Sequence, residues 1–328
     1  MYSNPENFNK LKNAFFKTFS LKSTKCLEPT ETCCEPLIDS HSIQDSRILE
    51  KLATDNHVIH ITFDKSCVSK STINNLIEPT CKYESISMHK ASVFIGLCNK
   101  HDTELFRPID TEDLDMDNKE HIFLLTYRSV LKELSSSLSA ATMNQSMFQS
   151  KVELGETTGD SFTLDGLLPV LFFERAYIFY QYKKLFDEDY LSKNYDNIVW
   201  KYIILDNVPT FATSTVFTPV EMATNEDEPE RLCVNVFPYK DKMHVVFSCR
   251  KEDEKSLNHY IEEVFSATGE YQKYLISKIV LRNCENTVFS PNYFAQWSEE
   301  KKETILEYFK NTYNSDLIGY ENPNLYLF

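Results

Sequence analysis

Residues 93–106 read VFIGLCNKHDTELF. A short apolar run closes on Gly96-Leu97-Cys98, and from Asn99 the pattern becomes that of the first turns of a helix. Cys98 and His101 are separated by Asn99-Lys100, the spacing at which one local turn delivers a close pair of ligands to a tetrahedral ion. The second pair must come from elsewhere. Cys26 with Cys33 or Cys34 is the first choice, in the proline-bearing stretch 26–36, and Cys67 and Cys81 are substitutes. A structural Zn²⁺ bound by Cys98, His101 and cysteines of the Cys26/Cys33/Cys34 cluster is therefore expected to organise the N-terminal part of the chain.

The bulk composition fits that expectation. The chain has 328 residues, 42% hydrophobic and 25% charged, too apolar for disorder and long enough for one large or two ordinary domains. With only 6 glycines, folds that cradle phosphates on glycine-rich loops lose weight; no P-loop, Rossmann fingerprint or serine-nucleophile elbow is present. The longest apolar run, residues 167–182, is interrupted by Glu174 and Arg175 and is shorter than a membrane helix requires. It reads as a buried helix, with Glu174 and Arg175 as a buried ion pair. No apolar leader segment opens the sequence, so a cytoplasmic location without membrane contact is expected, and the 9 cysteines read as thiols or metal ligands rather than disulfides.

Charge is unevenly spread. Residues 1–110 carry 13 Lys+Arg against 14 Asp+Glu, and residues 111–328 carry 21 against 35. Lys10, Lys12, Lys17, Lys22 and Lys25 face only Glu6 in the first 25 residues. Contact with nucleic acid is accordingly expected through the N-terminal part, and contact with a protein partner through the acidic remainder.

Outward from the metal pair, Phe8, Leu11, Phe15, Phe16 and Phe19 predict an amphipathic helix over residues 5–20, and Ile43, Ile48, Leu49 and Leu52 a short helical stripe. Residues 58–63 alternate as a strand. The acidic stretch 110–120 is the best candidate boundary, and residues 122–148 form a long helical pattern beyond it. Four β-branched and aromatic runs, 200–204, 211–217, 232–237 and 243–249, predict an antiparallel sheet. Helices are expected over 256–267 and 272–282, with a last one capped by Ser298. The fold class is α+β. Residues 1–110 form a zinc-bound, treble-clef-like module, and residues 111–328 an acidic domain of a helical segment and an antiparallel sheet with flanking helices.

A cysteine knuckle, a turn and strand, then a second ligand pair at a helix start is the outline of a treble-clef finger. Within it, Asp39-Ser40-His41-Ser42-Ile43 resembles the DHI or HHI stretch of HNH-type nucleases. That resemblance implies His41 as general base on water, and Asp102, directly after the second pair, as ligand to Mg²⁺ or Mn²⁺ with Asp39 assisting. The chain is also similar to uncharacterised bacterial proteins, some from phage-defence settings, in SHSIQ (41–44 with Ser40), DNHV (55–58), FIGLCNKHDTELF (94–106) and, more weakly, ENTVFSPNYFAQW (285–297). The resemblance implies an HNH-like protein acting on nucleic acid, a metal-dependent nuclease in bacterial defence. Asn56, Asn74 and Asn75 are available for the central asparagine of such enzymes. The competing expectation is a non-enzymatic, zinc-stabilised protein that recognises a protein or small ligand.

Overall fold

The computed structural model describes residue 10 and residues 25–70, 77–160, 163–206, 208–219, 230–314 and 324–328. The expected helix over residues 5–20 lies outside the described residues apart from Lys10. Among the described residues the architecture is α+β, with eight α-helices from residue 50 onward and antiparallel sheets.

Strand β1 (Leu37–His41) pairs antiparallel with β4 (Val93–Cys98), His41 opposite Val93 and Leu37 opposite Cys98. The excursion between them carries a π-helical turn (Asp45–Leu49), the short helix α1 (Glu50–Leu52), and the hairpin β2 (His57–Lys70) and β3 (Ile77–Ser87). The stripe predicted from Ile43, Ile48, Leu49 and Leu52 is thus buried as a set, on a wider turn than a regular helix. The turn into β2 explains the DNHV stretch. Asp55 and Asn56 both have positive φ, and Thr54 and His57 exchange both backbone hydrogen bonds across them. Such a two-residue connection favours asparagine and aspartate because their side chains tolerate the left-handed region.

Helix α2 (Asn99–Thr111) starts where β4 ends. The acidic stretch that follows is packed: the Leu114 amide donates to the Tyr239 hydroxyl at 2.9 Å, and Asp113 pairs with Lys240 at 3.0 Å. Helix α3 (Lys119–Glu153) opens on an Asn118 cap that accepts from the amides of Glu120 and His121. Residues 121–135 of α3 are buried almost throughout. One side meets the β1–β4 pair, where Ser135 donates to the Ile95 carbonyl at 2.7 Å; the other meets the large sheet, where Thr126 bonds Ser248 and Ser129 bonds Ser214, both at 2.7 Å. Helix α4 (Leu164–Ser192) returns antiparallel along α3.

The predicted strand runs appear as β5 (Ile198–Leu205), β6 (Phe211–Phe217), β7 (Leu232–Tyr239) and β8 (Lys242–Arg250). With β9 (Val288–Phe289) they form a sheet ordered β3-β2-β9-β6-β7-β8-β5. The two-residue β9 is the seam: Phe289 pairs with Ile59 on one side and Phe211 on the other. The sheet therefore runs continuously across the expected boundary near residue 110. One of its faces packs on α3 and the β1–β4 region; the other packs on α5 (Glu254–Ser266), α6 (Gly269–Asn283) and α8 (Glu299–Asn314), after the short α7 (Pro291–Phe294). Ser298 accepts from the Lys301 amide at 3.1 Å, the predicted cap of the last helix.

One expectation is corrected. Residues 167–182 are not a buried helix, because Leu167, Val170, Leu171, Phe173 and Tyr177 are exposed, and burial begins in earnest at Ala176 and Phe179. Glu174 and Arg175 are exposed too, so they are no buried pair. An apolar composition on all sides of a helix implies burial only if neighbours cover every side, and here α3 covers one. Among the described residues no helix is long and apolar enough to cross a membrane.

Candidate metal centre

Cys26, Cys33, Cys98 and His101 converge at the corner where the 26–33 loop meets the β4–α2 junction. One ligand atom from each lies within 4.8 Å of the others. Cys33 Sγ and Cys98 Sγ are 3.7 Å apart, Cys26 Sγ and His101 Nδ1 3.6 Å, and Cys98 Sγ and His101 Nδ1 3.2 Å. A tetrahedral Zn²⁺ with metal–sulfur and metal–nitrogen bonds of about 2.3 and 2.0–2.1 Å requires edges of about 3.8 Å between sulfurs and about 3.6 Å between sulfur and nitrogen. The group is therefore close to a Cys₃His coordination shell in size as well as composition, and it could hold a metal ion such as zinc. Cys34 does not join it: its thiol is exposed and turned to the Thr32 carbonyl. Cys81 sits on β3, away from the group, and the Cys67 side chain lies outside the described residues.

The loop that selects Cys33 over Cys34 is built around Glu28, which the sequence reading passed over. Its carboxylate is buried and accepts from the amides of Thr30 at 2.7 Å, Thr32 at 2.6 Å and Cys33 at 3.1 Å, and from the Thr30 hydroxyl. Burial opposes the charge, but these donors win and hold the carboxyl down at about 2. Glu31 turns the chain with φ 57°. The loop is then tied to β4, with the Leu27 amide on the Gly96 carbonyl at 2.7 Å and the Cys98 amide on Cys26 Sγ at 3.3 Å. Gly96 permits this approach; a Cβ there would meet the Phe94 ring at 2.9 Å and Leu27 Cδ1 at 3.2 Å.

Helix α4 grips the same loop from outside. Lys183, fully buried, donates to Asp187 at 2.8 Å and to the Glu28 carbonyl at 3.4 Å, and the Tyr127 hydroxyl of α3 donates to Asp187 at 2.5 Å. Tyr180 adds a bond to Glu31 at 2.7 Å. Burial pushes the Asp187 carboxyl up, against the pull of Lys183. The Lys183/Asp187 spacing of four in an apolar helix was the available sequence signal.

The two thiols at the strand end differ. Burial pushes the Cys26 thiol up to about 12. At Cys98 burial also works upward, but the amides of His101 and Lys100 at the start of α2 and the neighbouring thiols bring it below its ordinary value.

A second polar cluster adjoins the metal group. His41 ends β1, and its Nε2 is buried with no hydrogen-bond partner among the described residues. Asp102 stands in the first turn of α2, directly after His101. Burial raises its carboxyl; Arg128, Ser40 and His41 act against that rise and Asp110 adds to it. Arg128, from α3, pairs with Asp110 at 2.6 Å and lies over the Phe106 ring at 4.0 Å. His41 and Asp102 are thus brought within electrostatic reach of each other, while Asp39 is exposed on β1.

Two of the quoted motifs touch. Asn286 of ENTVF accepts from the Thr213 hydroxyl at 3.1 Å and donates to the Ser42 hydroxyl of SHSIQ at 3.2 Å, which fixes the chain beside His41 to β6. Neither a protein family, a curated protein nor a solved structure matches this chain.

Proposed function

We propose that the Cys26/Cys33/Cys98/His101 group binds a structural Zn²⁺, that loop 26–33, β1, β4 and α2 make a treble-clef finger of the HNH type, and that the chain acts on nucleic acid. The observation that carries this reading is the adjacency of the two clusters. The helix turn that supplies ligand His101 also supplies Asp102, and the strand paired with β4 ends on His41, whose buried Nε2 has no partner among the described residues. Phosphodiester hydrolysis needs an activated water and positive charge at the phosphate. His41 supplies the base, and Arg128 supplies fixed positive charge beside it. Asp102 would hold Mg²⁺ or Mn²⁺, which would neutralise charge developing on the phosphate.

A second reading is favoured by Arg128 itself. The positive charge of this cluster is already a buried side chain paired with Asp110, as in a protein whose finger is purely architectural and whose acidic remainder, 21 bases against 35 acids, recognises a protein. Incubation with DNA and RNA in Mg²⁺ or Mn²⁺, beside His41→Ala and Asp102→Asn, separates the two. The nuclease reading expects cleavage by the wild type and its loss in both variants. No cleavage of any substrate, or equal cleavage by all three proteins, leaves the architectural finger.

A further inference from the structure

Among the described residues, the least covered apolar surface is the outer side of α4. Leu164, Leu167, Leu171, Ile178 and Leu185 alternate at spacings of three and four, with Glu174 and Gln181 at the two remaining positions of the same seam. That spacing is the heptad of a helix that pairs with another helix. The opposite side of α4, through Ala176, Phe179, Tyr182 and Phe186, is the one that meets the core. Along the seam the four leucines are 38% to 69% exposed, and Val170, Phe173 and Tyr177 beside them 52% to 67%.

The size of this surface is informative. Large apolar side chains about half exposed at seven positions make a patch on the order of 600 Å², the top of the roughly 300–600 Å² that single soluble chains leave bare. It is also most of the roughly 800 Å² per partner that a stable complex covers. The seam is rigid rather than a loose end: α4 packs on α3 along its length, and a Lys151–Asp165 ion pair ties the first turn of α4 back to the end of α3.

Charge along the seam says which partner fits. A parallel copy would set Glu174 against Glu174. In an antiparallel arrangement with the two-fold axis between residues 174 and 175, each exposed Glu174 meets Arg175 of the other copy. The same register sets Leu171 opposite Ile178 and Leu164 opposite Leu185. The surface is self-complementary in charge and in apolar pattern, as an isologous interface demands. We infer that the α4 seam is the interface of a two-fold homodimer, two α3–α4 hairpins closing into an antiparallel four-helix arrangement.

Sedimentation velocity on the full chain, over a series from low to high micromolar, tests this directly. Twice the chain mass is expected. The Leu167→Glu/Leu171→Glu double variant, which alters exposed positions only, should sediment as a monomer with unchanged circular dichroism and a melting temperature that no longer depends on concentration. Glu174→Arg should weaken the dimer about tenfold by setting like charges together, and adding Arg175→Glu should restore it. A wild type that stays monomeric throughout overturns the inference. So does a dimer indifferent to the leucine substitutions or to Glu174→Arg. A monomer whose residues 164–185 are protected from amide exchange would likewise overturn it and assign the face to another segment of the same chain.

Discussion

The Cys/His corner and the large sheet are stabilised by different means. Strands β6 to β8 are buried on both faces, and α5, α6 and α8 cover one of them with Val, Ile, Leu and Phe side chains. That corner has a two-stranded sheet and one helix, too little to close a core alone. It is fixed instead by a few specific groups: the Cys26/Cys33/Cys98/His101 cluster at one end, which could hold a metal ion, the Glu28 loop, and the buried Lys183/Asp187/Tyr127 contacts from α3 and α4. A region that rests on area loses stability in small steps as it is altered, whereas one that rests on a few polar contacts fails when one is removed.

The largest contrast should follow metal removal. Structural zinc contributes folding free energy outright, about 10–16 kcal/mol in isolated finger peptides, and less is expected where α3 and α4 also support the loop. Chelation is predicted to speed amide exchange across residues 25–41 and 93–111 while β7 and β8 keep their protection. Uniform loosening of both regions would break the distinction.

Next in size is Lys183→Met. It leaves Asp187 buried without its cation, a change that costs about 3–5 kcal/mol. The exposed pair Lys242–Asp206 at the sheet edge gives the control: Lys242→Met should leave the stability nearly unchanged. Denaturant midpoints check both, and equal losses would contradict the account.

Glu28→Gln keeps the size of the side chain and removes the charge that gathers three amides. Groups that orient ligands in this way typically alter metal affinity about 10–100-fold. Competition against a chelator should read a loss in that range with the sheet unchanged.

The smallest effect belongs to the sheet side. Burial raises Asp253, at the start of α5, to about 6. Because the folded value lies above the unfolded one, the fold binds this proton more tightly than the unfolded chain does. Its contribution therefore favours folding at low pH and is lost as pH rises from about 4 to about 6. Asp253→Asn should gain stability relative to wild type across that window, as read by denaturation midpoints on a pH series. A constant difference would point to another cause.

What was legible in the sequence follows the same division. Cys98 and His101 could be read because one turn sets their separation, and the sheet strands because alternation survives in β5 to β8. The choice of Cys33 over Cys34 could not be read, since Glu28 and three amides shape that loop and composition does not encode their geometry. The exposed side of α4 was misjudged because hydrophobicity reports what a helix is made of, and only the fold reports what covers it. The Asn286–Ser42 bond joins residues 244 positions apart, beyond any local pattern. Arg128 was hidden for the same reason, a charged residue in an otherwise apolar helical stretch whose partner Asp110 lies on another helix.

The central claim is a zinc-held corner, and metal content tests it most directly. Protein purified without chelator should carry one zinc per chain, retained in Cys34→Ser and lost in Cys98→Ser and His101→Ala. A wild type that is metal-free yet fully folded, or a Cys34→Ser variant that loses the metal, would contradict it.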